Sequence, residues 1–272
     1  MVLNFFKLGI ILVLRILIHK KQVKTSNLFL MNKKIAASFV FVLLNSMLFT
    51  SCIDWFGTTG KGNIVTESRT ATNFQSIELI TSAKVDIVKG DTFIVEVSDY
   101  ENIIQNLSVK VVSNNLIIST DPISKILINS KAHVTITMPD SLKSIALSGS
   151  GDLNLTSPFK DLNTMIVTGS GNISAIQNLN VDKLNASILG SGNITAYGNV
   201  KTLTALISGS GNIKFADLAA DAATCTITGS GTIYVKANNT LKAVISGSGN
   251  IEYSGNPVVD SSITGSGTVI HK

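Results

Sequence analysis

Gly169-Ser170-Gly171-Asn172-Ile173 and Gly209-Ser210-Gly211-Asn212-Ile213 are two copies of one motif, and the reading of that motif decides the fold. Gly-Ser-Gly occurs seven times, starting at Gly149, Gly169, Gly190, Gly209, Gly229, Gly247 and Gly265, in steps of 20, 21, 19, 20, 18 and 18 residues. A period near 20 with small slippage marks a solenoid, in which each repeat stacks on its neighbours. Two residues before each triplet stands Leu147, Val167, Ile188, Ile207, Ile227, Ile245 or Ile263; two residues after it stands Leu153, Ile173, Ile194, Ile213, Ile233, Ile251 or Val269. This strict alternation of aliphatic residues, most of them β-branched, specifies strand on both sides of the triplet.

Read in period two, Ile145, Leu147, Gly149, Gly151, Leu153 and Leu155 face inward, and Ser148, Ser150, Asp152 and Asn154 face outward. Glycine weakens an ordinary strand, so its recurrence on the inner side predicts a corner where the coil bends or backbones approach closely. The segments between triplets have polar turns such as Gln177-Asn178 and Asp182-Lys183 and no helical periodicity. The expected fold is therefore all-β: a single-stranded parallel β-helix, or β-solenoid, with repeats of about 20 residues. Seven rungs would stack to roughly 35 Å. An antiparallel meander is the competitor, but hairpins would make the turn signals alternate in type.

Upstream, Asn73 to Asp140 alternates in the same way without the triplet, as at Ile77 and Leu79, Val85 and Ile87, Val95 and Val97, and Val134 to Met138. This region reads as less regular coils or a cap, with hairpin turns expected at Lys89-Gly90-Asp91 and Ser113-Asn114-Asn115. The solenoid domain is expected over 73–271, and the polar stretch 52–72 as a tether.

The first 51 residues follow targeting logic. From Met31 the chain runs through Lys33 and Lys34, an apolar stretch from Ile35 to Phe49, then Thr50-Ser51-Cys52. That is a secretory signal ending in a loose lipobox, with Cys52 as the expected lipidation site and the membrane as a partner through that lipid. Residues 1–30 read as an over-extended N-terminus, with Met31 as the natural start. The reading predicts a cell-envelope lipoprotein of the outer membrane, facing the periplasm or the surface.

Removing the leader changes the charge argument. The whole chain has 22 basic and 17 acidic residues, but seven of the basic ones and none of the acidic ones precede Cys52, so the remainder carries a net charge of −2. Nucleic acid is thereby excluded as an expected partner, and Arg69 is the one arginine after Cys52. With Cys52 lipidated, Cys225 cannot pair with it and reads as a small core residue.

Material for catalysis is sparse. After Cys52 the histidines are His133, read as a structural residue at a strand start, and His271, read as a mobile penultimate residue. The carboxylates Asp140, Asp161, Asp182, Asp217 and Asp221 are scattered among turns. Gly-Ser-Gly-Asn recurs too often and lacks the following Lys-Ser/Thr of a phosphate loop. No catalytic residue, metal or cofactor is expected.

Stacking the rungs instead creates a polar surface. One file holds Ser150, Ser170, Ser191, Ser210, Ser230, Ser248 and Ser266; a second holds Asp152, Asn172, Asn193, Asn212, Thr232, Asn250 and Thr268; a third holds Ser148, Thr168, Leu189, Ser208, Thr228, Ser246 and Thr264. Such ladders either bond from rung to rung and stabilise the stack, or offer hydroxyls and amides to a glycan, an envelope protein or another copy of the chain. Tyr197 and Tyr234 are the outward aromatics.

The repeated GSG-[NDT]-[ILV], together with Thr135-Ile136-Thr137-Met138-Pro139 leading to Leu142, resembles the putative auto-transporter adhesin, head GIN domain family, common among Bacteroidetes lipoproteins. The resemblance covers about Phe74 to Ile270. It implies a non-enzymatic, adhesin-like or scaffolding role and supplies no catalytic residues. An envelope enzyme acting on polysaccharide, or a structural or signalling partner of another envelope protein, are the alternatives.

Overall fold

The computed structural model describes residues 57–121 and 126–272; the leader and Cys52 lie outside the described residues. The strands, in chain order, are β1 (Gly57–Thr59), β2 (Ile64–Arg69), β3 (Ser76–Leu79), β4 (Lys84–Lys89), β5 (Ile94–Tyr100), β6 (Leu107–Val112), β7 (Asn115–Thr120), β8 (Ile126–Ile128), β9 (His133–Met138) and β10 (Ser144–Leu147). They continue with β11 (Asp152–Leu155), β12 (Thr164–Val167), β13 (Asn172–Ile188), β14 (Asn193–Gly209), β15 (Asn212–Gly229), β16 (Thr232–Gly247), β17 (Asn250–Ser254), β18 (Val258–Gly265) and β19 (Thr268–His271). Among the described residues the one helical element is a 3-10 turn at Ile104–Asn106.

The chain forms a β-solenoid. Each coil from Ser144 onward sends one strand into the Gly-Ser-Gly corner and another out of it, and every partner in the stack is parallel: β10 with β12, β11 with β13, β13 with β14, β14 with β15, and β15 with β16. This parallel register excludes the meander. Inward positions superpose as columns, so Leu147 lies beside Val167 and Ile207 beside Ile227, all fully buried. A neighbouring column is small: Ala186, Ala205, Cys225 and Ala243 follow one another. Large and small columns lie side by side in the interior, as close packing requires. Burial pushes the Cys225 thiol up to about 12, so it stays protonated and acts as a small apolar residue, as its spacing predicts.

The upstream region departs from chain order. β3 and β4 form a coil directly against β10 and β11, with Thr81-Ser82-Ala83 in place of the triplet. β7 and β9 form the next coil outward, parallel to β3 and β4. Antiparallel strands cover that coil: β6 pairs with β7, β5 with β9, and β2 with β5. The expected hairpin at Lys89-Gly90-Asp91 is corrected here, because β9 lies between β4 and β5. The hairpin at Ser113-Asn114 does form, both residues having positive φ, 50° and 65°, as a tight two-residue turn requires. The tether is also shorter than its polar composition predicts, since Ile64–Arg69 is strand β2. Fully buried Asp99 anchors the loop before β9, accepting bonds from Ser130 Oγ (2.6 Å) and the Lys131 backbone N–H (2.8 Å).

Candidate functional site: the Gly-Ser-Gly corner

Close approach of backbones explains the glycines. A methyl group built on Gly211 would overlap the carbonyl oxygen of Gly192, and one on Gly171 would overlap the carbonyl oxygen of Gly151. Those carbonyls accept hydrogen bonds from the next rung, Asn212 N–H to Gly192 O at 3.2 Å and Asn172 N–H to Gly151 O at 3.2 Å. The ladder therefore continues around the bend, and only a residue without Cβ permits the spacing. At Gly229 a φ of 132° adds a conformational reason.

The polar files have different fates. In the second, Asn172 Nδ2 donates to Asp152 Oδ1 (2.8 Å), Asn193 Nδ2 to Asn172 Oδ1 (2.8 Å) and Asn212 Nδ2 to Asn193 Oδ1 (3.0 Å). Thr232 breaks the amide chain, and Thr268 Oγ1 to Asn250 Oδ1 (2.7 Å) resumes it one coil later. These side chains are half-buried apart from exposed Asp152 and Thr268, and they hold rung to rung. In the first file Ser150, Ser170, Ser191, Ser210, Ser230, Ser248 and Ser266 are all exposed. Among the described residues none of these seven hydroxyls makes a side-chain hydrogen bond; only their backbones join the stack, as Ser210 N–H does to Gly190 O (3.1 Å). The third file is exposed throughout, with Leu189 its one apolar member.

Among the described residues neither histidine stands free. His133 Nε2 donates to Asp86 Oδ2 (2.8 Å), and Asn154 Nδ2 donates to Asp86 Oδ1 (2.9 Å). Burial raises the Asp86 pKa, but the bonds from Asn154 and His133 and the charge of Lys84 outweigh it and hold the carboxyl below its ordinary value. His271, expected to be mobile, stacks on Tyr253 with ring centroids 4.9 Å apart and donates to Gly255 O (2.9 Å). Its place in strand β19 puts it over the preceding coil.

One feature escaped the periodicity argument. Tyr197 and Tyr234, two coils apart, flank a cleft of about 300 Å³ with Thr195, Lys214, Ala216 and Asp217. It forms where β15 carries residues without partners in β16, between Phe215 and Ala219. The triplet spacing carried no signal for it, since the step of 20 residues from Gly209 to Gly229 is not the longest in the series.

The family model described as "Putative auto-transporter adhesin, head GIN domain" matches residues 73–257. The chain belongs to this family. A crystal structure of a putative adhesin from Bacteroides fragilis is 28% identical, covering 79% of this head GIN chain and 100% of its own, with a TM-score of 0.73. A putative lipid binding protein from Parabacteroides distasonis is likewise 28% identical over 79% of this chain and 99% of its own, at a TM-score of 0.69. A putative adhesin from Parabacteroides distasonis is 25% identical over 79% and 100%, at a TM-score of 0.62. No curated protein matches the head GIN chain. Family and these neighbours support an adhesin-like role at the cell envelope or surface. No helix of the described residues is long and apolar enough to cross a membrane.

Proposed function

We propose that the protein is a non-enzymatic, lipid-anchored β-solenoid of the outer membrane, adhesin-like or scaffolding, that contacts glycan or an envelope protein through the Gly-Ser-Gly corner. Cys52 carries the lipid. The observation behind the choice of surface is the file of seven exposed serine hydroxyls that the stack does not use. Their repeat of about 4.8 Å presents a regular array of donors and acceptors to a polymer lying along the solenoid. The non-enzymatic reading is supported by the family and its neighbours, which are named as adhesins.

A glycan-array screen of residues 53–272 beside the variant Ser191→Lys, Ser210→Lys, Ser230→Lys tests this reading. Binding by the wild type that the folded variant loses is expected. The cleft between Tyr197 and Tyr234 favours a second reading, in which a sugar ring stacks at the other corner. Binding that survives the serine changes and disappears in Tyr197→Ala, Tyr234→Ala would select it. No binding by a folded wild type would turn the assignment toward a protein partner.

A further inference from the structure

The two ends of the solenoid are finished differently. At one end β5 and β6 cover the β7/β9 coil with antiparallel pairing. At the other, β18 pairs with β16 on one side, and among the described residues no strand covers its second side. All eight residues of β18 are exposed, including Val259 at 36% and Ile263 at 44%, although their counterparts one coil below, Leu241 and Ile245, are buried. An uncovered strand edge over an apolar interior is a pairing template.

The occupant can be argued from the strand itself. With β6 and β5 already paired to the outer edges of β7 and β9, the opposite end cannot take this edge as its next parallel coil, which points to a closed, two-fold contact between like edges. In an antiparallel pairing, residues directly opposite share a face of the sheet, so inward residues must meet inward residues. With the axis at Ser261, inward Val259 lies opposite Ile263 of the other copy, twice, and outward Asp260 lies opposite Ser262. Moving the axis to Asp260 would set two like charges face to face, and moving it to Ser262 would oppose Val259 to the corner Gly265. We propose that β18 pairs antiparallel with β18 of a second copy about a two-fold axis at Ser261, joining two solenoids end to end. This edge is separate from the serine file, which would run along the outside of the joined pair.

The test uses the full 272-residue chain in detergent with Cys52→Ser, which leaves only buried Cys225 as a background thiol. In this background Ser261→Cys and Thr264→Cys are oxidised and run on a non-reducing gel. Ser261→Cys faces its own twin and is expected to give a disulfide-linked dimer. Thr264→Cys is expected to crosslink roughly ten-fold less, because its twin lies about 20 Å along the strand. Adding Val259→Lys and Ile263→Lys to Ser261→Cys should abolish the crosslink and leave the circular dichroism spectrum unchanged, since both residues are already exposed. Equal crosslinking at both positions, or a crosslink surviving the lysines, overturns the proposal. So does absence of the Ser261→Cys crosslink, whether the edge stays bare, another protein takes it, or residues 1–56 of the chain cover it.

Discussion

At the Gly-Ser-Gly corner successive coils match residue for residue; at the next corner, after the outgoing strand, they do not. Gly209 partners Gly229 and Gly229 partners Gly247 without a break. The register slips instead between Ala175 and Asn178, between Thr195 and Gly198, and between Phe215 and Ala219. The difference lies in what each corner packs against. Glycine backbones in contact leave no room for an added atom, whereas the second corner bends into solvent, where loop length costs little. One corner is thus fixed by the stack, and the other is free to acquire clefts such as the one between Tyr197 and Tyr234.

The largest effect should follow from filling the tight corner. Gly211→Val is expected to destabilise the protein by more than about 4 kcal/mol or prevent folding, because its side chain must displace the Gly192 carbonyl. One glycine inserted after Asp217 should cost less than about 1 kcal/mol. Urea unfolding followed by circular dichroism checks both, and similar losses would erase the distinction between the corners.

The amide file should rank next. Asn193→Leu removes the donor to Asn172 and the acceptor for Asn212, with an expected cost of about 1–3 kcal/mol in the same assay. Thr232→Asn, which could bridge Asn212 and Asn250, should be neutral or slightly stabilising.

A smaller effect is expected from Asp86. Its folded pKa lies below the ordinary carboxylate value, so its contribution is fully present above the unfolded pKa of about 3.9 and is lost as pH falls through the lower folded value. Asp86→Asn should therefore be less stable than the wild type at pH 6, and the gap should narrow below about pH 4. Unfolding midpoints of the two proteins across that window measure it, and a constant gap would assign the effect to lost packing.

Much of the stacked region was legible in sequence because one period controls it. The triplets located the tight corner, and the aliphatic residues two positions to either side gave the inward columns. Periodicity also aligned the serine and asparagine files, yet it could not separate them, because their difference is whether a side chain reaches the next rung. The upstream end was less legible: β9 enters between β4 and β5 through a pairing distant in sequence, which turn signals at Lys89-Gly90-Asp91 cannot register. Polar composition likewise concealed β2, whose outward residues face solvent at the edge of the cap. The tyrosine cleft depends on where extra residues are accommodated, and a repeat length alone does not say which corner takes them.

The central claim is that the tight corner separates two tasks, with glycine holding the stack and serine left over for contact. Urea unfolding of the variant Ser170→Ala, Ser191→Ala, Ser210→Ala, Ser230→Ala tests it most directly. The account predicts a stability within about 1 kcal/mol of the wild type, since four exposed hydroxyls without bonds are removed. A loss of several kcal/mol would show that the serines hold the coils together, and would contradict their assignment as a free contact surface.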